Sequence, residues 1–205
     1  MTIEWRQKYA LGGILLYVVA IITIIYVSFQ ELPPVLWVSL LWIIILFASV
    51  NAVAKSFIQE DRSRKLYYFS LAPARAVIFS KVIYNVALLS LLGIIAYVVY
   101  SVIMGNPIVH KTLFFSVLAI GMFSFASIFT MLSAIAAQAG GTAALMPILS
   151  LPIIIPVIYL VLGLSRYAVT GLGEIYIQND MLTLAAINAI VIALSYLLFP
   201  YLWRE

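Results

Sequence analysis

The sequence predicts an all-α integral membrane protein with six transmembrane helices. Two observations lead to this prediction. Hydrophobic residues make up 66% of the 205 positions and charged residues only 9%, and the apolar residues gather in six long runs. A soluble domain of this size could not bury so much apolar surface. Because backbone polar groups in lipid must be paired within the protein, each run is expected to be a helix.

The six runs are each compatible with a hydrocarbon core about 30 Å thick, which takes ~20 helical residues to cross. They cover residues 11–29, 35–54, 82–103, 113–137, 147–163 and 181–202. The first run is too long for the apolar part of a signal peptide, and no small-residue cleavage site follows it, so it is expected to stay as an uncleaved span. Residues 1–205 are expected to form a single transmembrane domain.

The distribution of basic residues predicts the orientation of the spans. If the N-terminus is inside, nine Lys and Arg residues fall on the inside and only Lys111 and Arg166 on the outside. Short cytoplasmic loops of membrane proteins carry such an excess of basic residues. Both termini are therefore predicted to be cytoplasmic. Trp37 and Tyr100 fall near predicted span boundaries, where interfacial aromatic side chains are common.

The longest polar segment, at about residues 55–81, joins the second and third spans. Residues 59–65 carry two acidic and three basic side chains, and an aromatic and apolar stretch follows before Pro73, which would end a helix. A short helix at the membrane surface could bury that stretch and present its charges to the cytosol. Two interpretations stay open, a solvated loop that sets topology and a coupling helix docked on a partner protein.

Several chemistries have no support in the sequence. Cysteine is absent, which excludes thiolate metal sites and covalent c-type heme attachment to this chain. The spans are nearly free of the ionisable groups that a membrane enzyme would place there. His110 is the single histidine and lies in a short outside loop. No P-loop for ATP occurs. The net charge of +4 is modest, and we expect no nucleic-acid partner.

Polar and small residues within the spans predict how the helices pack. Asn51, Asn85 and Asn188 are expected to form hydrogen bonds between helices. Small residues spaced four apart allow close helix approach; they are Ala126, Thr130 and Ala134 in one stripe and Ala185, Ala189 and Ala193 in another. Packing within the subunit is favoured over a homodimer face, although a homodimer stays open.

Two prolines of the fifth span form a predicted hinge. Pro152 and Pro156 lie one helical turn apart. Each removes a backbone donor and favours a bend. Simple tolerance of proline in a membrane helix is an equally good explanation.

Several short motifs are spread over the whole chain. They are Glu4-Trp5-Arg6, Tyr9 to Gly13, Ser56-Phe57, Glu60, Arg62, Leu66, Leu71-Ala72-Pro73, Lys81 and Ala136-Ala137-Gln138. Together they resemble the heme exporter protein B (CcmB) family, the permease-like subunits of system I cytochrome c maturation. The likeness covers the six spans, the loop lengths and the polar segment, which is also similar to that of type-2 ABC permeases.

The resemblance implies a subunit of an ABC-type complex in the bacterial cytoplasmic (inner) membrane. The family works with the ATPase CcmA on the cytoplasmic side, and with CcmC, the small subunit CcmD and the heme chaperone CcmE. ATP hydrolysis on CcmA would be coupled to release of heme-loaded CcmE. ATP then belongs to a partner subunit and heme is handled by partner subunits. The chain itself is expected to be non-catalytic and to bind no cofactor.

The resemblance also assigns the predicted site. Seven residues of the polar segment would contact or respond to the ATPase, namely Phe57, Glu60, Asp61, Arg62, Leu66, Tyr67 and Leu71. Other functions stay open. A type-2 ABC permease for another substrate, such as a lipid or drug, would differ by failing to co-purify with CcmC and CcmE. A membrane enzyme acting on lipid would need an acid, base or metal set in the spans. A passive scaffold would tolerate loss of the charges at 59–65.

Overall fold

The protein is a helical bundle, as the computed structural model shows for residues 2–29, 31–58, 74–138, 145–171 and 177–202. Within these ranges 93% of residues are helical and none is in a strand, which confirms the all-α prediction. The helices are α1 (Thr2–Ser28), α2 (Pro34–Ile58), α3 (Ala74–Met104), α4 (Lys111–Gln138), α5 (Leu145–Thr170) and α6 (Ile177–Leu202).

Five of these helices, α2 to α6, are long and apolar enough to cross a membrane, and α1 contributes the shorter apolar stretch Gly12–Ser28. A helix rises about 1.5 Å per residue, so the 31 residues of α3 exceed what the hydrocarbon core requires. Apolar side chains on the outside of the bundle face away from the rest of the chain, as lipid-facing residues do; Val102 is 79% exposed and Tyr159 77%. The chain is therefore a multi-pass membrane protein.

Three helices extend well beyond the spans predicted from the sequence. Helix α1 begins at Thr2, nine residues before the predicted start at 11. Helix α3 begins at Ala74, so residues 74–81 of the predicted polar segment are helical. Helix α5 continues to Thr170, seven residues past the predicted boundary at 163. Long basic side chains can reach the membrane surface from within a helix, so Lys81 and Arg166 do not end one. Helix α5 ends before Gly171, whose φ of 67° is the left-handed conformation common after helix C-termini.

Helix α4 lies at the centre of the bundle. It packs against α2, α3, α5 and α6, whereas α1 lies outside, beside α2 and α3. Seventeen of its 28 residues are buried, which makes it the element that every other helix except α1 contacts. Large aromatic side chains fill the space around it, including Trp42 from α2 and Phe125 and Phe129 from α4 itself. A movement of α2, α3, α5 or α6 relative to α4 must therefore change a contact with α4.

Candidate functional site around α4

The predicted ATPase-contacting segment lies largely outside the described residues. This holds for Glu60, Asp61, Arg62, Leu66, Tyr67 and Leu71. Phe57 belongs to the last turn of α2. The structure describes the two helices on either side of this segment: α2 ends at Ile58 and α3 begins at Ala74. We call this side of the molecule the α2–α3 end.

Both helices that flank the segment contact the end of α4. The Ser133 hydroxyl of α4 donates a hydrogen bond to the Val53 carbonyl of α2, at 3.4 Å. Ile78 of α3 and Ala134 of α4 are buried together in a small apolar cluster, with exposures of 2% and 4%. Consecutive residues of α4 thus hold the two helices between which the predicted coupling segment is inserted.

Two asparagines connect α4 to two neighbouring helices, α3 and α6. Asn85 of α3 donates its amide to the Thr130 hydroxyl at 2.8 Å, and both residues are fully buried. Asn188 of α6 donates to the Ser124 hydroxyl at 2.8 Å. The prediction that these two amides link helices is confirmed. Both acceptor hydroxyls in turn donate to carbonyls one turn earlier in α4, so each amide is tied to the α4 backbone.

Helix α4 carries a hydroxyl side chain at every third position through its middle. These are Ser124, Ser127, Thr130 and Ser133, and all four are buried. Two of them accept the amides of neighbouring helices and one reaches a neighbouring backbone. This stripe was not predicted, although hydroxyls at a spacing of three in an otherwise apolar sequence indicate polar contacts between helices.

A second junction joins α2, α4 and α5 through one tryptophan. The Trp42 indole N–H donates to the Ser165 hydroxyl of α5 at 2.8 Å. Its ring packs edge-on against Phe125 with centroids 5.8 Å apart. The ring also lies against Gly121, where a Cβ atom would come within 2.6 Å of Cη2. A glycine at 121 is what permits α4 to approach α2 this closely.

The other end of the bundle is closed by the connection between α3 and α4. The Trp37 indole donates to the Gly105 carbonyl at 3.0 Å, and its ring stacks on Tyr100 with centroids 4.7 Å apart. The backbone N–H groups of Val109 and His110 both donate to the Ala168 carbonyl of α5, at 3.1 and 2.9 Å. These contacts hold the first turn of α2 and the last turns of α3 and α5 close to the start of α4.

Several sequence predictions about packing are wrong. Asn51 is exposed, because it lies where α2 faces away from the bundle. The stripe Ala185, Ala189 and Ala193 is also exposed and makes no packing face within the subunit, unlike the buried stripe of α4. Trp37 and Tyr100 are 1% and 0% exposed. They pack against each other inside the bundle and are not interfacial anchors.

The two predicted hinge prolines lie within α5 and are both exposed. A proline in a helix interior leaves the carbonyl four residues earlier without its usual donor. For Pro152 this is the carbonyl of Ile148, and for Pro156 it is the carbonyl of Pro152 itself. Helix α5 remains continuous through both positions. The hinge stays a prediction, located in the half of α5 nearer to Leu145.

Catalytic or metal chemistry has no grouping to support it in the described part of the chain. No three of its His, Asp and Glu residues come together as a metal site would require. His110 is exposed, and its ring lies near Gly171, where a Cβ atom would be 3.5 Å from Nε2. The buried polar groups are hydroxyls and amides, which position helices and do not perform acid–base chemistry at neutral pH.

These features define a multi-pass helical membrane protein whose buried polar groups join helices. The chain belongs to the CcmB protein family, which it matches over residues 1–202. No curated protein and no solved structure gave a match. Membership of this family makes the chain a permease-like membrane component of the heme exporter of cytochrome c maturation. It is part of a Ccm complex with other subunits.

Proposed function

We propose that this chain is the type-2 ABC permease-like subunit that couples ATP hydrolysis by CcmA to release of heme-loaded CcmE from CcmC. The chain performs no catalysis. It transmits a conformational change from the cytoplasmic face of the inner membrane to the outer face, where CcmC, CcmD and CcmE handle heme. ATP is bound by CcmA, and this chain binds neither ATP nor heme. Both of its termini are cytoplasmic.

The observation that carries the proposal is the attachment of α2 and α3 to consecutive residues of α4. Ser133 and Ala134 contact the last turns of α2 and the first turns of α3. A displacement of the segment between those helices therefore acts first on α4. From there the Asn85–Thr130 and Asn188–Ser124 hydrogen bonds reach α3 and α6. Close packing makes such a core move between discrete arrangements and not deform gradually.

Coupling of this kind requires differential binding. ATP-bound CcmA can shift the membrane subunit toward a second conformation only by the difference between its affinities for the two conformations. A shift from one part in a hundred to ninety-nine in a hundred needs a difference of about 10⁴-fold, or ~5.5 kcal/mol. The charged side chains at 60–62 are the candidates for supplying part of this difference, since truncating one partner of a buried charge pair costs on the order of 2–5 kcal/mol.

The test is a reconstituted complex in which release of heme-loaded CcmE is followed after ATP addition. The variant Glu60→Ala, Asp61→Ala, Arg62→Ala is compared with Glu31→Ala, Lys111→Ala, which removes two exposed charges predicted to lie on the opposite face. The proposal predicts that the triple variant lowers CcmA affinity or ATP-driven release at least about tenfold, or ~1.4 kcal/mol, and that the control is unchanged. Equal release by all three proteins would refute the proposal.

A further inference from the structure

A small cavity opens on the side of the bundle between α3, α4 and α6. Its volume is about 140 Å³, close to the ~150 Å³ of an engineered apolar cavity that binds benzene. It is lined by Ile78, Phe79, Val82, Ile83, Phe123, Ser127, Ile192, Ser195 and Tyr196. Of these residues, only Ile78 also takes part in the contacts that join α4 to the helices on either side of the predicted coupling segment.

The lining of the cavity is almost entirely carbon. Ser195 turns its hydroxyl onto the Val191 carbonyl at 2.8 Å and away from the space. Ser127, at 1% exposure, is the buried polar side chain at the wall whose hydroxyl has no partner. An apolar cavity of this size does not hold water stably, because a water needs two to four polar partners. Whatever fills the space must therefore be largely apolar.

The rim of the cavity faces the surroundings of the bundle. Phe79 and Ile83 of α3 are 41% and 68% exposed, and Tyr196 of α6 is 37% exposed. The Phe79 and Tyr196 rings lie 6.0 Å apart, so two aromatic rings flank the entrance. All three helices that form the cavity are long and apolar enough to cross a membrane, which places the entrance on a surface that contacts lipid.

Charge at this end of α3 fits a phospholipid. Helix α3 has two basic residues among its first eight positions, Arg75 and Lys81, and its 31 residues include no acidic residue. A phosphate headgroup close to the start of α3 would be attracted by these charges. An acyl chain entering from the same side would run along Phe79 and Ile83 into the cavity.

We propose that this cavity binds the acyl chain of a phospholipid from the membrane leaflet at the α2–α3 end. The lipid would fill the space between α3, α4 and α6 beside the Asn85 and Asn188 hydrogen bonds. It would thus be in contact with the three helices that those bonds join. This inference rests on membership of a membrane protein family and not on coupling to an ATPase.

The test uses vesicles of phosphatidylethanolamine and phosphatidylglycerol that contain a trace of phosphatidylglycerol with a diazirine on its acyl chain. After illumination, adducts are mapped by mass spectrometry. The proposal predicts adducts on Phe123, Ser127 or Ile192 that are at least about fivefold more abundant than on Ile94, which is lipid-facing but outside the cavity; fivefold corresponds to ~1 kcal/mol. Equal labelling of cavity and reference residues would overturn the proposal.

Matched variants distinguish a loss of lipid binding in the cavity from misfolding of the protein. Ile192→Trp fills the cavity, whereas Ile190→Trp makes the same change two residues away on an exposed face of α6. Val82→Phe against Val98→Phe gives a second pair on α3 should the first fail to fold. The filling variants should lose the enrichment and the controls should keep it. Retention of the adducts in a folded filling variant would contradict the proposal.

A thiol probe distinguishes a lipid site from a water-filled crevice. Because the chain has no cysteine, Ser127→Cys introduces a single thiol at the cavity wall, and Asn106→Cys gives an exposed reference in the connection between α3 and α4. In vesicles permeable to the reagent, a charged maleimide should modify position 127 at least about tenfold more slowly than position 106, since a thiol in apolar surroundings ionises poorly. Similar rates would show water in the cavity and overturn the proposal.

Discussion

Replacing Gly121 by alanine should destabilise the bundle more than the same change at two other helical glycines. A Cβ atom at 121 would lie 2.6 Å from Cη2 and 3.0 Å from Cζ3 of Trp42. The indole cannot move aside easily, because its N–H is bonded to Ser165 and its ring packs edge-on against Phe125. Overpacking of a core typically costs about 1–3 kcal/mol. Alanine returns ~1 kcal/mol in helix propensity, which leaves an expected net loss of about 0–2 kcal/mol.

Gly93 and Gly163 provide graded controls for this prediction. At Gly93 the added Cβ would meet the Met122 sulfur at 2.6 Å. A flexible methionine can change rotamer, so Gly93→Ala should cost less than Gly121→Ala. At Gly163 no atom lies within 4 Å of the Cβ position, and Gly163→Ala should be neutral or stabilising by up to ~1 kcal/mol.

The assay is unfolding of the purified protein in mixed micelles of a mild detergent and dodecyl sulfate, followed by circular dichroism. The expected order of stability is Gly163→Ala at or above wild type, then Gly93→Ala, then Gly121→Ala. If Gly121→Ala is as stable as Gly163→Ala, the close approach of α2 and α4 at Trp42 is not as described. A third comparison is a double-mutant cycle: Gly121→Ala should cost less stability in the Trp42→Phe background than in the wild type, because phenylalanine lacks the indole atoms that clash.

Three further predictions concern the polar contacts, the prolines and the topology. Asn85→Ala should lower the unfolding free energy by about 0.6–2 kcal/mol through loss of a bond between helices, whereas the exposed Asn51→Ala should have no measurable effect in the same micelle titration. Pro152→Ala and Pro156→Ala should slow ATP-driven CcmE release without weakening CcmA binding, because each restores a helix donor. Pro147→Ala is the control, since the N–H of an alanine at 147 would lie in the first turn of α5 and have no helix partner. Unchanged CcmE release by both hinge variants would contradict the prediction that the two prolines form a hinge. Reporters fused to either terminus should be active only in the cytoplasm, and activity outside would reverse the predicted orientation.

The sequence predicted the helices better than their arrangement. Long apolar runs alone indicate membrane helices, and a fold without strands followed from them in the described residues. The runs are apolar on every side, however, so periodicity cannot separate a buried face from a lipid-facing one. The same spacing of small residues is buried at Ala126 and exposed at Ala189. Which stripe packs is decided by tertiary contacts, which a spacing of four does not contain.

The contacts of the polar residues could likewise be predicted only in part from the sequence. Asn85 and Asn188 occur deep in their helices, where an unpaired amide in lipid is costly, and both found partners as predicted. Asn51 lies within two turns of the end of α2, where an amide can stay at the surface. The junction at Trp42 was not predicted, because it depends on three residues from three helices that are far apart along the chain.

The first experiment to perform is co-purification of the wild-type chain with CcmA in mild detergent, scored for ATP hydrolysis. Coupling through the segment between α2 and α3 requires that the two proteins associate, and it predicts a stable complex whose hydrolysis rate differs from that of CcmA alone. The Glu60→Ala, Asp61→Ala, Arg62→Ala variant should lose that association while it remains folded. If the wild-type chain binds no CcmA, coupling to this ATPase is wrong, and a passive scaffold becomes the better explanation of the chain.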